Sequence, residues 1–251
     1  MKKRLLSILL SFVLVATLLP VSVFANESVS ETSQIYDLSK GSITVKVDTV
    51  GKQTVSQPDN PDSPITDGEQ TGKTVITQKD SSTTTTSNTI TIEAAEGQTA
   101  EVTLSGVNID VSSESKAALS TSDKGDVTVK LYGSNTLKSG NYHAGLEKNN
   151  SGKLTISGTD VVKDVLNATG GLWSAGIGGN DANKNVSNIT ISCCKINATG
   201  EFAAGIGGGN YGSGSNIIIS DSTVTATGKG EGAGIGGGYG SSGSNIWCIR
   251  S

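Results

Sequence analysis

Short runs of apolar residues alternate with polar ones along most of the chain. From about residue 88 the pattern is regular: Ile90 and Ile92, Val102 and Leu104, then Val107, Ile109 and Val111. It continues through Val127, Val129 and Leu131, Leu154 and Ile156, Ile189 and Ile191, and Ile217 and Ile219. Alternation in period two predicts half-buried strands. No helical period competes with it after the first 25 residues. Upstream the pattern is sparser. Gly41 to Val47 predicts a first strand, Thr74 to Thr77 a second, and the hydroxyl-rich Ser81 to Ser87 a loop or sheet edge. Residues 26–40 predict a poorly ordered leader. Pro58, Pro61 and Pro64, set among Asp59, Asn60, Asp62 and Ser63, predict a loop or linker.

The strands belong to a repeat. Ala175-Gly176-Ile177-Gly178-Gly179 returns as Ala204-Gly205-Ile206-Gly207-Gly208 and as Ala233-Gly234-Ile235-Gly236-Gly237, 29 residues apart each time. Looser copies precede them at Ala144-Gly145-Leu146 and Ala117-Ala118-Leu119. Ala-Thr-Gly stands ahead of the full copies, beginning at Ala168, Ala198 and Ala226. A fixed period in this range marks a solenoid, in which one coil cannot bury its apolar face alone. Three short β segments per coil predict an all-β, right-handed parallel β-helix with coils of about 28–29 residues. Leu119, Leu146, Ile177, Ile206 and Ile235 are expected to form one inward ladder. The predicted organisation is therefore a leader (1–25), an N-terminal β segment with Pro/Ser/Thr-rich loops (26–87), and β-helix repeats (88–251).

The leader itself is basic, then apolar, then small: Lys2-Lys3-Arg4, Leu5 to Leu19, and Val23-Phe24-Ala25. This is the layout of a secretory signal peptide, too short for a membrane span of roughly 20 residues. The expectation is a secreted, extracellular protein, placed on a cell surface, with no membrane span after cleavage. No Cys near the cleavage site offers a lipid attachment point. Loss of the three basic residues moves the net charge from −4 to about −7. An acidic chain with no basic patch argues against nucleic acid as a partner. Cys193 and Cys194 are neighbours and Cys248 is distant, which fits neither a disulfide framework nor a zinc set; we read all three as incidental.

Three stretches resemble a known group: Asp37-Leu38-Ser39-Lys40-Gly41-Ser42-Ile43-Thr44-Val45, the Glu101–Ser139 block, and the Gly-Ile-Gly-Gly-Gly coils. They are similar to surface proteins of anaerobic Gram-positive bacteria described as adhesin-like or carbohydrate-binding-domain repeat proteins. That resemblance implies a β-helix and a role in adhesion or glycan binding, with polysaccharide or host and cell-surface glycans as partners. It carries over no catalytic residue. The chain departs from the repeat at Trp247-Cys248-Ile249-Arg250-Ser251, where the preceding coil predicts a second Ile followed by Ser-Asp-Ser, and this suggests truncation.

Candidate chemistry is sparse. Gly207 to Gly212 and Gly238 to Gly243 match the dinucleotide Gly-x-Gly-x-x-Gly string, but no helix follows and the string recurs with the coils. Gly72-Lys73-Thr74 resembles the end of a phosphate loop, with Asp67 where the first Gly belongs. Gly178-Gly179-Asn180-Asp181 resembles a calcium turn, but the later coils lack the Asp and calcium needs several converging oxygens. No carboxylate pair stands out for glycoside hydrolysis, and the lone His143 reads as an exposed residue. No cofactor and no enzymatic activity are expected. A degenerate polysaccharide lyase and a purely structural stalk are the alternatives to glycan binding. The most suggestive feature is a register: Tyr142, Trp173 and Phe202, with Glu231 after them, stand two residues before successive corners. Facing outward, such a ladder suits sugar rings; facing inward, it is structural stacking. Tyr211 and Tyr239 in the glycine loops are further candidates.

Overall fold

The computed structural model describes residues 33–249; the expected signal segment and Arg250 lie outside the described residues. Three sheets wind into a parallel β-solenoid of about six turns. Sheet A stacks Ser33–Asp37, Lys73–Thr77, Thr99–Ser105, Asp126–Tyr132, Leu154–Ser157, Val186–Ser192, Gly214–Ser220 and Gly243–Ile249. Sheet C stacks Asn108–Asp110, Ser134–Lys138, Val165–Leu172, Lys195–Glu201 and Thr223–Gly228. Sheet B stacks Ile43–Val47, Ile90–Ala94, Leu119–Asp123, Leu146–Lys148, Ile177–Gly178, Ile206–Gly207 and Ile235–Gly236. A typical coil runs through A, then C, then B.

Parallel pairing in register turns each repeated residue into a column. The expected ladder is present: Leu119 pairs with Leu146, then Ile177, Ile206 and Ile235, and it extends back through Ile90 to Ile43. Val127, Leu154, Ile189, Ile217 and Ile246 form a second apolar column in sheet A. Ile109, Leu137, Ala168, Ala198 and Ala226 form one in sheet C. Ile43 through Ile206 in the sheet B column are fully buried, each such side chain contributing about 1.5–3 kcal/mol. Ile235, Ile246 and Val224 are only partly buried, because no described coil covers them. One column contains a polar residue, Asn135, aligned with Leu166, Ile196 and Val224. Its side chain is buried but satisfied: Oδ1 accepts from the Val107 amide at 3.1 Å, and Nδ2 reaches the carbonyls of Tyr132, Gly133 and Val165.

Two N-terminal expectations need correction. Residues 33–40 are not a loose leader, since Ser33–Asp37 pairs with Lys73–Thr77 and the 3-10 turn Leu38–Lys40 buries Leu38 completely. The stacking also begins before residue 88, because Ile43–Val47 pairs in parallel with Ile90–Ala94 and Thr86 bridges to Ile109. The proline-rich loop is the connection of a hairpin, Gln53–Gln57 and Ile65–Glu69, whose antiparallel strands extend sheet B past its first coil. Pro58, Pro61 and Pro64 and the acidic Asp62, Asp67 and Glu69 give this edge the composition that discourages further strand pairing.

The glycines of the Ala-Gly-Ile-Gly-Gly corner set the spacing. Gly178 and Gly207 both have φ of +134°, and a Cβ on either would overlap the carbonyl oxygen of the equivalent glycine one coil on. Gly178→Ala should therefore destabilise the fold by more than the roughly 1 kcal/mol of an ordinary helix-interior Gly effect, lowering the urea midpoint without changing the residues paired. In the ladder, Ile177→Val should cost about 0.5–1.5 kcal/mol in the same measurement. Ile177→Asp buries an unpaired charge and should abolish the cooperative transition. A wild-type-like melt for the Asp variant would show that the column does not hold the coils together.

Candidate functional site

The corner before each sheet B strand is where the aromatic residues stand. Tyr142, Trp173 and Phe202 occupy equivalent positions, and all three have left-handed backbone, with φ of 72°, 66° and 51°. Glu231 continues the column at 72°. Left-handed backbone is disfavoured for bulky residues and costs of order 1–3 kcal/mol. A second left-handed column shows what a purely structural solution looks like. Asn188, Asn216 and Asn245 sit at φ of 61°, 51° and 51°, and their amides bond to one another at 3.3 and 3.1 Å. Asn adopts this conformation at little cost; Tyr, Trp and Phe adopt it only against a steric penalty.

The aromatic column faces solvent. Tyr142, Trp173 and Phe202 are 42%, 38% and 40% exposed. It is not one continuous stack. Tyr142 and Trp173 pair at 5.4 Å with a 56° tilt, whereas Phe202 turns over the next coil, where a Cβ on Gly230 would overlap its ring. Beside this column runs the glycine loop of the following coil. The amides of Asp181, Asn210 and Tyr239 donate to the carbonyls of Tyr142, Trp173 and Phe202 at 3.4, 3.0 and 3.4 Å. Tyr211 donates its amide to the Tyr239 carbonyl at 3.0 Å, and the two rings meet edge-on at 5.1 Å. The five residues singled out in the sequence are thus joined through adjoining backbone on one side of the solenoid. Their rim is polar, with Asn141 capping the Leu172 amide and Lys229 paired with Glu201 at 3.2 Å.

A second polar cluster was not anticipated. Where later coils read Ile-Gly-Gly, one coil reads Leu146-Glu147-Lys148. Glu147 is buried; its carboxylate accepts from Asn149 Nδ2 at 2.8 Å and the Ala144 amide at 3.3 Å, and it meets His143 Nδ1 at 2.8 Å. His143 is half-buried and ion-paired, not an exposed bystander. Its pKa is raised above 6.5 by the bond to Glu147, against an opposing effect of burial. Lys148 is 3% exposed and donates to the Asn150 and Gly152 carbonyls, both at 2.7 Å. Burial lowers its pKa to about 8, with Asp126 countering only part of the shift. The departure from Ile-Gly-Gly was the signal in the sequence.

The other candidates resolve simply. Asp181 pairs with Lys184 at 3.6 Å, and Asn180 is engaged by Asn149 and Asn183, so the glycine turn's polar groups bond to one another. Among the described residues, no three His, Cys, Asp or Glu side chains converge as a metal site needs. Cys193 and Cys194 occupy the turn between two strands, and these residues and Cys248 are free thiols. Burial raises the Cys194 thiol to about 11, which leaves it unreactive as a nucleophile at neutral pH. No described helix is long and apolar enough to cross a membrane.

The raised pKa of His143 has a stability consequence. Its stabilisation is complete below the unfolded value and is lost as pH rises through the higher folded value. Wild-type protein should therefore lose stability in urea melts as pH rises from below 6.5 through the higher folded value, and His143→Gln should remove that slope. Lys148, whose pKa burial lowers to about 8, begins to deprotonate at the upper end of this range and moves stability in the opposite direction, so wild type and His143→Gln are compared at each pH. A wild-type-like slope in His143→Gln would show that the pair does not titrate as described.

Comparison with known families finds a Beta helix repeat model matching residues 154–181, 195–210 and 217–239. No curated protein and no solved structure matches the chain. The matched segments fall in the most regular coils and agree with the parallel β-helix fold of the chain.

Proposed function

We propose that this chain is an extracellular, non-enzymatic repeat protein that holds a polysaccharide on its aromatic face, in the manner of the adhesin-like surface proteins its sequence resembles. The β-helix fold occurs in polysaccharide-degrading enzymes as well as in non-enzymes, so the reading rests on the site and not on the architecture. One observation carries it. Three successive coils keep a large aromatic residue, about 40% exposed, at a backbone position where Gly or Asn folds more easily. Strain retained in register needs a compensating use, and stacking on sugar rings supplies one. Coils about 4.8 Å apart repeat the aromatic position along the solenoid, giving a linear platform suited to a linear chain of sugars. Tyr211 and Tyr239 widen that platform, and the neighbouring Asn, Asp and Lys side chains offer hydrogen bonds to hydroxyl groups.

The strained backbone makes a clean test possible. Trp173→Gly relieves about 1 kcal/mol of strain while giving up about 0.5–1.5 kcal/mol of ring stacking, so its stability should stay within about 1 kcal/mol of wild type. Binding in a glycan-array screen should fall at least tenfold for Trp173→Gly and for Phe202→Gly. Unchanged binding in both folded variants would remove the aromatic face from the function.

A further inference from the structure

The coil that carries Glu147 and Lys148 buries a cation that the repeat does not need. The coils reading Ile-Gly-Gly close the same turn without any charge. The Lys148 ammonium has two carbonyl partners and no carboxylate within ion-pair distance among the described residues. Glu147, its neighbour in sequence, bonds to His143, Asn149 and Ala144 and forms no ion pair with it. An ammonium has three donors, so one remains beyond the two used. Burying such a charge is costly, and Asp126, beyond ion-pair distance, offsets only part of the cost.

Lys148 lines a polar cavity of about 270 Å³. Asn149 and Ser151 on its own coil, and Asn183, Asn185 and Ser187 on the next, form the walls. Some of these groups already have partners: Asn149 and Asn183 bond to each other, and Asn185 Oδ1 accepts from the Ser213 amide at 2.8 Å. Asn185 Nδ2 and the hydroxyls of Ser151 and Ser187 have none among the described residues. Lys148 is therefore the only charged residue in the lining, beside three hydrogen-bonding groups that are uncommitted among the described residues.

We infer that this cavity binds the carboxylate of an acidic glycan. Lys148 supplies the counter-charge, and Asn185, Ser151 and Ser187 bond to the carboxylate or to adjacent hydroxyls. The inference takes the ligand class from the glycan-binding reading and the charge from the cavity alone. A carboxylate completes the third donor of Lys148, for which the described residues supply no partner. Neutral sugars leave the ammonium without its counter-ion, so the cavity discriminates acidic from neutral chains.

Calorimetric titration of the full chain separates the two readings. The probes are an oligogalacturonate and its carboxyl-reduced, neutral counterpart. Wild type should bind the acidic probe at least tenfold more tightly. Lys148→Met should abolish that preference while leaving neutral binding in place, and Trp173→Gly should weaken both. An acidic preference that survives in Lys148→Met, or no preference in wild type, overturns the inference and leaves the aromatic face standing. Failure of wild type to bind either probe overturns both. If Lys148→Met does not fold, the Asn185→Ala, Ser187→Ala double variant takes its place. A threefold or greater loss for the acidic probe alone supports the site, and an unchanged affinity rejects it.

Discussion

Every other feature of this molecule follows from the backbone register between coils. In the regular part of the solenoid, Ala175, Ala204 and Ala233 donate their amides to Gly179, Gly208 and Gly237, closing the same turn each time. The amides of Ile177 and Ile206 then donate to the carbonyls of Gly205 and Gly234 at 2.9 Å. Glycine with φ near +134° brings adjacent coils together at a distance no Cβ permits. Once this register is imposed, the chain has little choice about its side chains. Any residue type repeated at a coil position becomes a column with its own kind stacked at strand spacing. Isoleucine makes a core, asparagine makes a ladder of amides, and aromatic residues make a face.

The comparison between columns separates structural from functional demands. The asparagine column and the aromatic column both require left-handed backbone at every level. Asparagine meets that requirement cheaply and bonds to its neighbours above and below. The aromatic column meets it at a cost and recovers only part through the Tyr142–Trp173 contact and the cover that Phe202 gives Gly230. The two columns sit in one solenoid, under one geometry, so the difference lies in what the side chains do on the outside.

Much of this was legible in the sequence because the repeat encodes the register directly. The Ile and Leu positions, the strand pairs such as Val186–Ser192 and Lys195–Glu201, and the coincidence of aromatic positions all follow from aligning one coil on the next. The first coil was not legible. A hairpin of the Gln53–Gln57 and Ile65–Glu69 strands interrupts it, so the spacing from Ile43 to Ile90 is far from the period that later coils display. Tyr36 and Leu38 looked like part of a leader because their partners, in Lys73–Thr77 and beyond, lie across that insertion. The orientation of the aromatic rings was also beyond reach, since identical spacing serves an inward or an outward column and the sign of φ decides between them.

The least regular coil shows how a solenoid acquires chemistry. In later coils the alanine amide of the corner is closed by a glycine carbonyl; at Ala144 the acceptor is the Glu147 carboxylate. A backbone group has been replaced by a side chain, and the replacement brings a titratable oxygen with it. His143 then pairs with that oxygen, and Lys148 satisfies carbonyls of its own turn. Each substitution solves a local bonding problem that glycine solves elsewhere without charge. The consequence is that the coil with the poorest match to the repeat holds the protein's only histidine and a buried lysine side by side, while the coils with the best match hold almost nothing that titrates in their corners. In a fold whose regular positions are fixed by stacking, departures from the repeat are where specific recognition has room to arise.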